Sequence, residues 1–245
     1  MARRPARRPA RKATGKSPVR ATRGPAAATT EREKIIAAFL SLLAEKPFEK
    51  IGLAAIAKAA GVTLASLRGE FPSTLAIVAA HIKATDRAVL AEDAGEMGDE
   101  PARDRLADVL MRRLDILAPH RGAVRSLLRS ARRDPPLALA LNALALRSQR
   151  WMLNAAGIGA AGPLGVLRAQ GLAVLFTGVL DIWTRDDEGD QARTMAALDR
   201  ALARGERLAG LLDDLCAIPA RLCRMRSRAG SRRRRGKDSG ETSAA

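Results

Sequence analysis

An all-α fold follows from three features of the chain. Alanine, leucine and arginine dominate its 245 residues, tyrosine is absent, and phenylalanine and tryptophan together fill only six positions. This is helix-forming material with little from which to build strands. Apolar residues recur at three- and four-residue steps, the period that lines one face of a helix, and Pro, Gly, Ser, Thr and Asp punctuate the segments as helix starts and stops. With 47% hydrophobic residues the chain can bury a sizeable core.

Residues 1–28 are Arg, Pro, Ala and Thr with almost no large apolar side chain, so they cannot repay the entropy of ordering and are expected to form a disordered basic arm. Thr29 or Thr30 can cap a first helix that carries Ile35, Ile36, Phe39, Leu40, Leu42 and Leu43, with Glu31 and Glu33 where the helix dipole favours acids. Pro47 ends it. A short helix with Leu53, Ile56 and Ala57 follows, then the turn Ala60-Gly61-Val62 and a third helix over about Thr63 to Gly69, closed by Leu67 and Phe71.

Pro72 and Ser73 begin a long fourth helix with Leu75, Ile77, Val78, Ile82, Val89 and Leu90, fading by Gly95 in an acidic link. A fifth starts near Pro101, carries Leu106, Val109, Leu110, Leu114 and Leu117, and is limited by Pro119. A sixth reaches about Arg133, and Asp134-Pro135-Pro136 opens a seventh with Leu137, Leu141, Leu144, Trp151, Met152 and Leu153. Ala155 to Gly165 is a glycine-rich connector; no strand precedes it and no Gly-Lys-Ser/Thr follows, so it is not a phosphate cradle. The eighth helix, about Pro163 to Thr184, is apolar on most sides and is expected to be buried all round or to form an interface. A ninth runs from about Asp187 past Ala203, and a final apolar stretch, Leu208 to Leu222, leads into a basic tail.

The net charge of +17 is concentrated in the tails. Residues 1–28 hold nine bases and no acid, residues 221–245 hold nine bases against Asp238 and Glu241, and residues 29–220 are left at +1. Cys216 and Cys223 lie seven apart, about two helical turns, too far for a disulfide and suited to reduced thiols. They and His81 and His120 match no zinc spacing. No apolar run reaches the ~20 residues of a membrane span and no signal-peptide apolar region follows the Arg-rich start, so the expected location is cytoplasmic, with no membrane span. Catalysis is not expected: no nucleophile stands with an orienting base, and Asp186, Asp187, Glu188 and Asp190 suit helix capping better than a metal. No cofactor is implied.

The block Glu33 to Phe71, EKIIAAFLSLLAEKPFEKIGLAAIAKAAGVTLASLRGEF, has the apolar skeleton of a DNA-reading helix-turn-helix and resembles, over about residues 31 to 80, the TetR family of bacterial transcriptional regulators. The resemblance implies a three-helix head at 29–75, a helical ligand-binding and dimerisation body at 76–220, and a basic tail at 221–245. It implies a homodimer joined through the last two long helices, a repressor bound to double-stranded DNA and released by a small molecule. Thr63, Ser66, Arg68 and Thr74 would then touch DNA, Thr63 at a helix N-terminus, Arg68 at a guanine edge or phosphate.

Leu64, Arg68, Gly69, Glu70, Thr74, Gly52 and Ala54 depart from the family's contact residues, which implies weak phosphate contact by the head and affinity supplied by the basic arm. In the body, Trp151, Met152, Phe176 and Trp183 are the adaptable side chains expected near an apolar ligand. The stretch LFTGVLDIWTRDDEGDQARTMAALDRAL, Leu175 to Leu202, also resembles lipid-binding ubiquinone-biosynthesis accessory proteins of the same fold, which implies lipid or isoprenoid binding without sequence-specific DNA binding.

Overall fold

In a computed structural model the described residues are 30–91, 100–187, 191–207 and 210. The basic arm and tail, both cysteines, Glu188, Asp190 and nearly all of the Leu208 to Leu222 stretch lie outside them. Among the described residues the secondary structure is helical, without strands: α1 Glu31–Glu45, α2 Leu53–Ala60, α3 Leu64–Glu70, α4 Thr74–Ala91, α5 Ala102–Leu117, α6 Arg121–Ala131, α7 Pro135–Ala155, α8 Gly162–Trp183, and α9 over 192–207. The all-α expectation holds, and the boundaries read from capping residues hold with it.

Local chemistry explains those boundaries. Pro47 stands two residues beyond α1, ahead of a 3-10 turn at Phe48–Lys50. Gly61 ends α2 in the left-handed region, φ 67°, where a side chain would be strained. Thr63 caps α3, its hydroxyl accepting from the Ser66 N–H at 3.0 Å, and Ser73 accepts from the Ala76 N–H at 3.2 Å at the start of α4; each cap contributes about 1 kcal/mol. Asp134 accepts from the Leu137 N–H to open α7. Asp186, buried, takes the Thr194 N–H at 2.9 Å and its hydroxyl at 2.6 Å in the first turn of α9, a capping role as expected.

The first apolar cluster is built from Ile35, Phe39, Leu40 and Leu43 of α1, Ile56 and Ala57 of α2, Leu67 of α3, Phe71, and Ile77 and Val78 of α4. It is not closed by those helices. Ala123 of α6 joins it, with Leu127 of α6 and Leu141 and Leu144 of α7 packed against it. The two helices α1 and α6 approach closely because Gly122 has no side chain: a Cβ there would lie 3.3 Å from the Ala44 Cβ. Two α6 serines then tie down the link between α1 and α2. The Ser126 hydroxyl donates to the Lys46 carbonyl at 3.0 Å, and Ser130 accepts from the Phe48 N–H at 3.1 Å.

The second cluster joins Leu106, Val109, Leu110, Leu114 and Leu117 of α5 to Met152 and Leu153 of α7, Leu172, Phe176, Val179 and Trp183 of α8, and Leu198 and Leu202 of α9. Of the two expectations for α8, burial all round or an interface, the first is excluded. Leu164, Val166, Leu167, Val174 and Ile182 are exposed, Val174 at 61%. By length and composition alone α8, 22 residues long, is apolar enough to cross a membrane, contrary to the expectation from its apolar runs. Its inner face nevertheless carries Phe176 and Trp183 into the core.

The start of α8 is fixed by a close backbone contact. A Cβ on Gly165 would lie 2.2 Å from the Ala160 carbonyl carbon, which no side-chain motion relieves. Gly165→Ala is therefore expected to lower the unfolding free energy by about 3 kcal/mol, measured as a fall in the urea midpoint at unchanged slope; an unchanged midpoint would show that the connector yields.

Candidate functional site

The outward surface of α3 is assembled by elimination. Leu67 turns into the core at 1% exposure and Ser66 beside it is half-buried, so Leu64, Ala65, Arg68 and Gly69 make the solvent face. Leu64 is 54% exposed. Thr63 is exposed, with its oxygen engaged as the cap, and Thr74 is half-buried at the first position of α4. Arg68 is exposed and donates through Nη1 to the Pro72 carbonyl at 3.0 Å, so its guanidinium lies along the turn between α3 and α4, beside the start of α4. Of the four residues predicted to touch DNA, Thr63 and Arg68 are thus exposed, at the cap and on the outward face of α3, while Ser66 and Thr74 are half-buried.

Glu70, the acid among the departures from the family's contact residues, is turned away from the outward face. It lies on the flank of α3 nearest α1, where Arg32 Nη1 meets its Oε2 at 3.2 Å and its carbonyl at 3.3 Å. The same guanidinium stacks over Phe71, 4.4 Å from the ring centroid. Arg32 was missed in the sequence because 38 positions separate it from its partner, and no local pattern links a base in the first turn of one helix to the last residue of the third. Glu70 is the only acid in α2 or α3, so its pairing leaves the outward side of both helices to Lys58 and Arg68, each exposed.

In the body, Met152 and Phe176 are both buried. Both surround Arg113: its Nη1 lies 3.8 Å from the Met152 Sδ, and its Cζ 5.9 Å from the Phe176 ring centroid. Trp183 is fully buried beneath Arg121, 4.8 Å away. Trp151 is elsewhere, 58% exposed on the outer face of α7; it and Met152 are neighbours a hundred degrees apart on the helix, and only one can point inward. A groove of about 540 Å³ opens between α8 and α9, floored by Leu175, Val179 and Ile182 and rimmed by Arg200, Arg204 and Arg207, and it touches none of the four predicted ligand residues.

The interior near Met152 is more polar than expected. Arg113 pairs with Asp86 of α4, both buried, and the Ser148 hydroxyl donates to the same carboxylate at 2.8 Å. Gln149 is buried beside them in sequence, its Oε1 without a hydrogen-bond partner. The signal for this cluster was in the spacing: Asp86 falls on the inward face with Ile82 and Val89, and Arg113 on that of Leu110, Leu114 and Leu117.

His81 of α4 stacks edge-on against His120, ring centroids 5.2 Å apart, between the two clusters. Burial, then the charges of His120 and Arg113, push its pKa down to about 4.

No protein-family model matches the chain, and no curated protein matches it by sequence. Solved structures do. The TetR transcriptional regulator from Nitrosomonas europaea ATCC 19718 superposes with a TM-score of 0.56 at 24% identity, covering 71% of this chain and 97% of that one. A TetR transcriptional regulator from Rhodococcus sp. RHA1 gives 0.50 at 21% identity, covering 71% and 95%.

Two outcomes follow from these contacts. Arg32→Ala removes a half-exposed ion pair and a cation–π contact and is expected to cost about 1 kcal/mol in urea unfolding; no change would show that the clamp is ornamental. Because the His81 pKa is depressed in the fold, the unfolded chain binds a proton that the native one refuses between pH 6.5 and about 4. Stability should therefore fall with pH across that window, by up to about 3 kcal/mol, and His81→Leu should flatten the profile. Taken with the helix order, the two clusters and the superpositions, the chain has the fold of the TetR-family transcriptional regulators.

Proposed function

We propose that the chain is a DNA-binding transcriptional regulator, a repressor that acts as a homodimer and is released by a small molecule. The observation that carries this reading is the outward face of α3: capped, free of acids with Glu70 held by Arg32, and carrying Arg68, with Lys58 exposed on α2. A seven-residue helix presented in this way suits the major groove, with α2 crossing the backbone. The +9 carried by residues 1–28 supplies phosphate contacts that the head lacks.

The second copy is seated on α8. Leu164, Leu167, Gly171, Val174, Gly178 and Ile182 recur at three- and four-residue steps and are all exposed, with Met195 of α9 exposed at 54%. Nothing lies within 4 Å of a Cβ built on Gly171 or Gly178, so the fold itself does not require glycine there, while a closely packed partner helix does. Pairing α8 and α9 with their copies gives a four-helix bundle that buries this stripe. Two heads so joined would read half-sites about 34–36 Å apart.

Release by ligand is a population shift: a molecule that binds the body better when the heads are out of register lowers DNA affinity by that difference alone. Met152 and Phe176 supply apolar, adaptable contact. The Asp86–Arg113 pair beside them favours a ligand that is apolar with one polar group rather than wholly apolar.

Three measurements bear on this. The intact chain should bind DNA with a preferred sequence at low salt, with Arg68→Ala weakening it; absence of any preference together with an inert Arg68→Ala would sink the reading. Val174→Asp should convert a dimer to a monomer in sedimentation and lose most DNA affinity. If it stays dimeric, α8 is not the seam.

A further inference from the structure

The face that α3 turns outward is short of hydrogen-bonding groups. Of its four residues only Arg68 has a polar side chain, and that one is drawn along the turn to the Pro72 carbonyl. Leu64 stands at the first position of the helix, 54% exposed, held outward because Thr63 fixes the helix start and Leu67 must enter the core. Ala65 is exposed beside it.

Gly69 completes the face and is the unexpected residue. It sits inside the helix, where glycine is a poor former, with no left-handed φ and nothing within 4 Å of a Cβ built on it. The fold gains nothing from its lack of a side chain. A surface lying directly against that part of the helix does gain, since the backbone can come closer by the depth of a methyl group.

Resting on the DNA-binding reading above, we infer that α3 reads thymine by its C5-methyl group, with Leu64 and Ala65 as the apolar contacts and Gly69 as the position that lets the helix sit deep enough to make them. In the major groove the thymine methyl is the one apolar feature among donors and acceptors. A leucine and an alanine complement it and can make no hydrogen bond to the other base edges. Arg68 grips a phosphate at the groove edge, consistent with its place beside the first turn of α4. Charge complementarity favours DNA as the occupant: the exposed bases of α2 and α3 are Lys58 and Arg68, and the one acid of these helices is paired with Arg32.

The test begins with duplexes enriched from a random pool by the full chain. Each thymine of the selected sequence is then replaced in turn by deoxyuridine, which keeps the base pair and the O4 acceptor and deletes only the methyl group. At least one thymine in each half-site should lose about fourfold in affinity, the worth of one buried methyl. In Leu64→Ala at least one of these penalties should disappear, a thymine read by Ala65 keeping its own, with helical content unchanged because Leu64 is outside the core. Gly69→Ala should raise the melting temperature and yet weaken binding to every selected duplex several-fold. The inference is overturned if deoxyuridine is tolerated at every position, if every penalty persists in Leu64→Ala, or if Gly69→Ala binds as the unaltered chain does. Failure to enrich any duplex would instead remove the DNA-binding reading and this inference with it.

Discussion

The structure depends on the seam between α1 and α6. The three helices that carry the candidate DNA face do not close their own core; Ala123 and Leu127 fill the remaining side, and the seam is tight because Gly122 and Ala44 are both small. Apolar burial at roughly 25 cal/mol per Å² is non-directional and would tolerate sliding. The two serine contacts are not: Ser126 and Ser130 bond to Lys46 and Phe48 at fixed positions and so set the register of one helix on the other. The position of α3 is thereby specified by a helix that lies fifty residues further along the chain.

Polar pairs inside the body serve a similar end. Burying Asp86 and Arg113 costs desolvation that their attraction only partly offsets, so the pair is a poor source of net stability. It is a strong source of position, because α4 cannot slide past α5 without leaving a charge unpaired. Ser148 extends the constraint to α7. Because α4 also contributes Ile77 and Val78 to the first cluster, it links the contacts around Arg113 with those around α3.

What the sequence made legible was local. Thr63, Ser73, Asp134 and Asp186 could be read as caps because a cap and its partner lie within a turn or two, and Pro47 and Pro135 mark ends for the same reason. The apolar period assigned the inner faces of α1 and α5 residue by residue. It failed for α8, which is apolar all round, so that periodicity could not say which side meets the core; only packing separates Phe176 and Trp183 from Val174 and Leu167. Residue type, not period, failed for Trp151, suggesting an inner position that helix phase does not give. The apolar outward face of α3 was legible in composition, whereas the pairing of Glu70 with Arg32 and the open space around Gly69 were not.

The shared core has a practical side for anyone recombining this protein. Helix-turn-helix heads invite exchange at the start of α4, and a cut there would leave Leu40 and Leu43 of α1 facing an α6 shaped for a different neighbour. Ala44 would then have to find a glycine opposite it, and Lys46 and Phe48 two serines at the right height. The exchangeable unit is therefore discontinuous, α1 to α4 together with the buried side of α6, and a chimera that respects it would carry its own alignment with it.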